Sequence, residues 1–269
     1  MKWVFLFLFC PLYSYSQAKI GIHGSYIIAA IGKDGIILAG DSRANIYNTD
    51  DKNQSPIAYF DSVQKIFLLN DDVALGSMGS GIISNVFFDA IVNKFRASEP
   101  NQQPGKIIGN FLKYCKEIMP LEAYTQITNN ELISIGYKNN TPTICAYSKR
   151  DGIDTCINYG FICGDGLSDF DSMYYSLQNK TCFNLALIAE KAIERYAVKY
   201  HKQNIIGGKI MALKITPNTA INWILNKPKE MKWIYLSDFV KDYYNGKVLV
   251  KLTNGHNKKE LDDLFNSIH

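Results

Sequence analysis

The chain is short of histidine and cysteine, has no cluster of basic residues, and has no apolar run long enough to span a membrane. Its four histidines stand apart from one another, with His23 near the start and His201, His256 and His269 in polar surroundings. No cysteine pair lies at metal-ligand spacing with a histidine, so neither a zinc site nor any other cofactor is expected, and a histidine-based triad is the least favoured route to catalysis. The formal charge of +4 is scattered rather than gathered into a stripe that could track phosphates, which argues against a nucleic-acid partner. The apolar run at residues 3–13 is broken by Pro11 and falls short of the ~17–25 residues of a membrane span. With Lys2 ahead of it and Ser14-Tyr15-Ser16 as a small-x-small cleavage site, residues 1–16 are expected to be an export leader. The mature protein is then periplasmic or secreted, with no membrane association after leader removal. Of the six cysteines, the leader takes Cys10, and the odd remainder leaves at least one unpaired. Cys145 and Cys156 flank a turn at Arg150-Asp151-Gly152. They are either a disulfide of an exported protein or two free thiols on adjacent strands.

What is present is apolar residues, 47% of 269, enough for a sizeable core in one α/β unit. Two short apolar runs, 26–31 and 36–40, meet at Lys33-Asp34-Gly35, and a turn-forming Asp-Gly between β-rich runs predicts a hairpin. The hairpin brings its two ends to one sheet edge, so Ser25 at one end and Asp41 at the other are expected to lie close. Lys65 opens a third apolar run. Gly76, Gly79 and Gly81 then supply backbone that can approach a reacting carbonyl without a side chain in the way.

Further along, residues 45–62 carry Asn, Asp, Lys, Gln and Pro56 and are expected to form an exposed loop. Helical spacing of Phe87, Ile91 and Phe95, and of Ile107, Ile108, Phe111, Leu112, Cys115 and Met119, predicts two paired helices over 84–96 and 104–119. Strands are predicted at 131–137, 143–147, 153–158 and 160–166. A third helix spans 181–200 with Thr181 as a candidate N-cap, and a strand follows at 209–215. Residues 222–269 are rich in aromatics, which predicts a tail docked on the body or on a neighbouring subunit, with a last short helix at 258–265. Periodicity alone supports a mixed α/β or α+β domain.

A hydroxyl, a carboxylate, a lysine and a glycine-rich loop in this order resemble the proteasome β-subunit family of N-terminal-nucleophile (Ntn) hydrolases. Gly24-Ser25 occupies the place of the cleaved glycine–nucleophile junction. Asp41-Ser42-Arg43-Ala44 matches the family's Asp-Ser-Arg-Ala without a gap, Lys65 matches its lysine, and Gly76-Ser77-Met78-Gly79-Ser80-Gly81 matches its oxyanion loop. The resemblance covers residues 24–215. It implies an α+β fold built as a four-layer αββα sandwich, with residues 17–24, a short polar segment, as a propeptide, 25–221 the hydrolase domain and 222–269 an extension. It also implies that Ser25 is the nucleophile with its own freed α-amine as base, that Lys65 and Asp41 supply the electrostatics, and that N–H groups around Gly79 and Ser80 meet the oxyanion. The substrate class would be a peptide or small amide, and a homo-oligomer is compatible with the family.

The chain departs from the family in several places. Ser80 stands where a glycine is usual in the oxyanion loop. Gln203 and Ile206 stand where the family has an aspartate and a serine before its Gly-Gly, here Gly207-Gly208. Asp165 stands in a Gly-Asp-Gly turn where the family has a serine, and could take over orientation of the terminal ammonium. Two other functions therefore stay open: an inactive binding or assembly module, and an amidase acting on a small molecule.

Overall fold

Apolar runs without polar alternation, such as Ile36-Ile37-Leu38-Ala39, mark strands covered on both faces, and the computed structural model bears this out. It describes residues 19–24, 26–51, 55–61, 63–153, 156–157, 160–163, 180–199, 206–218, 221–228 and 232–268. In chain order the strands begin with β1 (Ile20–His23), β2 (Ile27–Gly32), β3 (Gly35–Gly40), β4 (Ala44–Asn48), β5 (Ala58–Phe60), β6 (Ile66–Leu68) and β7 (Val73–Met78). A two-stranded hairpin, β8 (Ile82–Ile83) and β9 (Val86–Phe87), leads into α1 (Phe88–Ser98), α2 (Ile107–Ile118) and α3 (Leu121–Thr128). Next come β10 (Glu131–Lys138), β11 (Thr141–Ser148), β12 (Gly152–Ile153) and β13 (Phe161–Cys163), then α4 (Cys182–Lys199). The chain closes with β14 (Met211–Ile215), β15 (Ile221–Leu225), α5 (Leu236–Tyr244), β16 (Lys251–Leu252) and α6 (Lys258–Asn266).

The described residues form a mixed α/β structure in which every strand pairing is antiparallel. One sheet runs β12-β11-β10-β7-β6, a second β13-β2-β3-β14-β15, and a third β1-β4-β5-β16. The period-2 alternation of side chains divides the first two sheets' residues between cores. Ile27, Ala29, Ile36 and Leu38 share one cluster with Ala74, Ile133 and Ile135, so these two sheets bury their facing sides together. The opposite side of β2 and β3, Ile28, Ala30, Ile37 and Ala39, packs on Leu185, Ala189 and Ile193 of α4. The opposite side of β7, Val73 and Leu75, packs on Phe95, Phe111 and Ile127 of the first three helices. At the start of α4 the Thr181 hydroxyl accepts the Asn184 N–H at 3.3 Å, the predicted N-cap.

The predicted hairpin is β2–β3, but its tip is Lys33-Asp34, because Gly32 pairs with Gly35. Gly35 is needed for a different reason from the turn: at φ +153° a Cβ there would sit 2.5 Å from the Ile215 carbonyl oxygen. Asp34 fixes the tip by accepting the Cys182 N–H and the Lys214 ammonium.

Three expectations need correction. Residues 45–62 are not an exposed loop; they hold most of β4 and all of β5, with Ile46, Ile57, Ala58 and Phe60 buried. Polar composition misled here because the partners of these strands, β1 and β16, come from opposite ends of the chain. The stretch before Ser25 is likewise not a plain polar segment, since Ile20 and Ile22 of β1 are buried in the same third core. The tail boundary at 221/222 cuts through β15, which pairs with β14. The rest of the tail docks on its own body: Phe239 lies 4.7 Å from Phe60 between ring centroids, and Phe265 packs on Phe239. Of the two options for Cys145 and Cys156, the structure has the disulfide, while Cys115 and Cys182 are buried free thiols. No described helix is long and apolar enough to cross a membrane.

Candidate active site

Asp41 follows the last residue of β3, and its N–H donates to the Tyr26 carbonyl ahead of β2 at 3.2 Å. Its side chain is 0% exposed and takes four hydrogen bonds. Oδ1 accepts the Tyr26 N–H at 2.8 Å and the Lys65 ammonium at 2.9 Å. Oδ2 accepts the N–H groups of Arg43 and Gly207, each at 3.2 Å. These four donors offset the cost of burying the carboxylate. Lys65, just ahead of β6, is 4% exposed. Burial pulls its ammonium below the ordinary lysine range, and the Asp41 carboxylate pulls it back up.

The glycine pair at 207–208 is explained by close approach. A Cβ on Gly207 would meet the Arg43 guanidinium at 3.0 Å, and one on Gly208, at φ +74°, would meet the Ser42 hydroxyl at 2.5 Å. Ser42 N–H donates to the Gly207 carbonyl and Lys209 N–H to the Ser42 hydroxyl, so segments 41–43 and 207–209 are locked face to face. Arg43 itself pairs with Asp61 at 2.8 Å and lies 4.0 Å over the Tyr59 ring, which ties β5 to this wall.

The glycine-rich loop lies across from the pair. Gly24, Lys65, Gly79, Ser80 and Gly81 all line one cavity of about 30 Å³. Two N–H groups of this loop are already engaged in the continuous chain. Ser80 N–H donates to Asn130 Oδ1 at 2.7 Å, and Gly81 N–H donates to the Ile22 carbonyl at 2.7 Å. Asn130 also donates from Nδ2 to the Ser80 carbonyl at 2.9 Å, so one buried amide grips both backbone polar groups of a single residue. Gly79, at φ +120°, must be glycine, because a Cβ there would meet Asn130 Oδ1 at 2.5 Å. β1 therefore lies as an extended strand between β4 and the Ser80-Gly81 backbone, with an isolated His23–Ser80 bridge on the loop side.

Of the residues singled out from sequence, Asp41, Lys65, Gly79 and Ser80 come together, and the described neighbours of Ser25 flank them: Gly24 lines the cavity and Tyr26 donates to Asp41. Ser25, Asp165 and Gln203 lie outside the described residues. Ile206 is 5% exposed and packs in the core beside α4.

Sequence reasoning missed Asn130, β1 and Asp89. Alternation of Ile20 and Ile22 with Gly21 and His23 was a strand signal, whereas Asn130 follows Asn129 after a helix and looks like any turn residue. Asp89 sits in the first turn of α1, 3% exposed, and burial lifts its carboxyl to about 6. It lines the same cavity as Lys65 and Gly24. No family model matches the chain, and no curated protein matches it significantly.

Proposed function

We propose that this chain is an N-terminal-nucleophile hydrolase of the proteasome β-subunit kind, arranged as a four-layer αββα sandwich, that cuts itself at Gly24–Ser25 and then hydrolyses peptide or other amide bonds. The observation that carries the reading is the buried Asp41–Lys65 pair, 2.9 Å apart, whose lysine lines a cavity shared with Gly24 and the 79–81 loop. A buried ammonium beside the junction favours a deprotonated hydroxyl at residue 25. In the self-cut, the Ser25 hydroxyl adds to the Gly24 carbonyl, the Gly24–Ser25 amide breaks to an ester, and water then splits the ester. The products are a leader ending in a Gly24 carboxylate and a chain with a free α-amine at Ser25. That amine serves as base for later turnovers. The placement of β1 supports the same reading, because its contacts with β4 and Gly81 are those an extended peptide makes when it adds to a sheet edge.

A second reading, an inactive binding or assembly module, is favoured by the engagement of both loop N–H groups and by Ile206 in the core. Lys65→Ala separates the two. The hydrolase reading expects the variant to fold, to remain uncut, and to lose amidase activity by on the order of 10²-fold or more. Cleavage at the wild-type rate in this variant overturns the site assignment. A melting curve of the variant shows whether misfolding is the cause of any loss.

A further inference from the structure

Asp89 is a buried carboxylate in the first turn of α1, where backbone N–H groups of Ala90 and of Asp89 itself reach it. The other buried residues of α1, Phe88, Ile91, Val92 and Phe95, are apolar, and Asp89 is 3% exposed among them. Its Oδ1 has no hydrogen-bond partner among the described residues. A buried carboxylate oxygen left without a donor is costly, and such groups in folded proteins mark a ligand, a water or a role in chemistry. Asp89 borders the cavity that Gly24, Val63, Lys65, Phe67 and Phe88 also line. Of the other polar side chains that line it, the Lys65 ammonium bonds Asp41, the Gln64 amide donates to the Ile66 carbonyl and the Ser80 hydroxyl to the Ile82 carbonyl, and neither His23 nor Ser77 bonds Oδ1.

The cavity's size and lining limit what can answer this oxygen. At about 30 Å³ it holds roughly two water-sized groups, too little for the long side chain of lysine or arginine. A substrate carboxylate would be repelled by Asp89. A hydroxyl on a short stem fits, with its carbon against Val63, Phe67 and Phe88 and its proton toward Oδ1.

Resting on the hydrolase reading, we propose that Asp89 is a specificity residue that selects substrates with a small hydrogen-bond-donating side chain, serine or threonine, on the acyl side of the cleaved bond. Gly24 holds that position in the self-cut and leaves the cavity open. Asp89 does not touch the reacting bond. It accepts the substrate hydroxyl and so discriminates between isosteres that differ only in that group.

The test uses the full chain after leader removal and a peptide panel differing only at the residue before the cut: glycine, alanine, serine, valine, threonine, lysine and arginine. Threonine is expected to exceed valine, and serine alanine, by at least ~10-fold in kcat/KM, since a site built around a hydrogen bond rejects the analogue lacking it. Asp89→Leu is expected to abolish that ratio, and Asp89→Asn, which keeps an acceptor, to retain part of it. Turnover with threonine equal to valine overturns the proposal and leaves the hydrolase reading standing, with water as the cavity's occupant. Faster cleavage after lysine or arginine also overturns it. No turnover of any peptide by a chain still joined at Gly24–Ser25 overturns the hydrolase reading and this one together. The threonine–valine comparison is made on the wild-type protein, so it does not depend on the variants folding.

Discussion

The two members of the buried ion pair are unequal. Asp41 gathers three backbone N–H groups as well as the Lys65 ammonium, so its loss strands a buried cation and three donors at once. Asp41→Ala is expected to cost about 3–5 kcal/mol, the range for breaking a buried pair from one side. Lys65→Met keeps the stem's packing and leaves Asp41 on its backbone donors, so its cost is expected to be clearly smaller. Urea unfolding of both variants measures the difference, and equal costs would contradict this account of Asp41. Asp89 makes a pH prediction with a definite sign. Its folded pKa of about 6 exceeds the unfolded value near 3.9, so the folded state holds the extra proton between them. The stability this group lends is fully present below about pH 4 and is lost as pH rises through 6, about 3 kcal/mol at one pKa unit per 1.36 kcal/mol. Asp89→Asn is expected to remove that fall, seen as a flatter dependence of the urea midpoint between pH 4.5 and 7.5. The same slope in both proteins would mean that the Asp89 carboxyl is not shifted.

At the scale of elements, the third core is where both ends of the chain meet the middle. β1, β4, β5 and β16 form its sheet, and α5 and α6 cover it. Phe239 is 0% exposed and its ring lies within 6.1 Å of those of Phe60, Phe87, Trp233 and Phe265. Phe239→Ala is expected to destabilise by about 3–5 kcal/mol, read from denaturant midpoints; a cost under about 1 kcal/mol would show that the tail is not integral to the fold. This core was also the least legible in the sequence. The β2–β3 hairpin was readable because its signal is local: two apolar runs and a turn between them. β4 and β5 were not, because strand character there comes from pairing with residues 20–23 and 251–252, and no window of neighbouring residues contains that information. The short helices α3 and α5, eight and nine residues long, were not read from the sequence, although α6 at nine residues was.

For the molecule as a whole, the site was more legible than the architecture that builds it. Asp41 and Lys65 were named from the order of a few residues and now stand 2.9 Å apart, whereas Asn130 and Asp89 reach the site only through tertiary packing. The strand β1 joins these scales, since it is at once part of the third core and the segment whose Gly24 lines the cavity beside Lys65. Cleavage at Gly24–Ser25 would leave β1 held by non-covalent contacts alone: its pairing with β4, the Ile22–Gly81 hydrogen bond and the burial of Ile20 and Ile22. The most direct test is the intact mass of the purified protein over a long incubation, beside Lys65→Ala. The account predicts a wild-type chain that begins at Ser25 and a variant that keeps the residues before it. A wild-type chain that still carries Ile20–His23 covalently attached would contradict it.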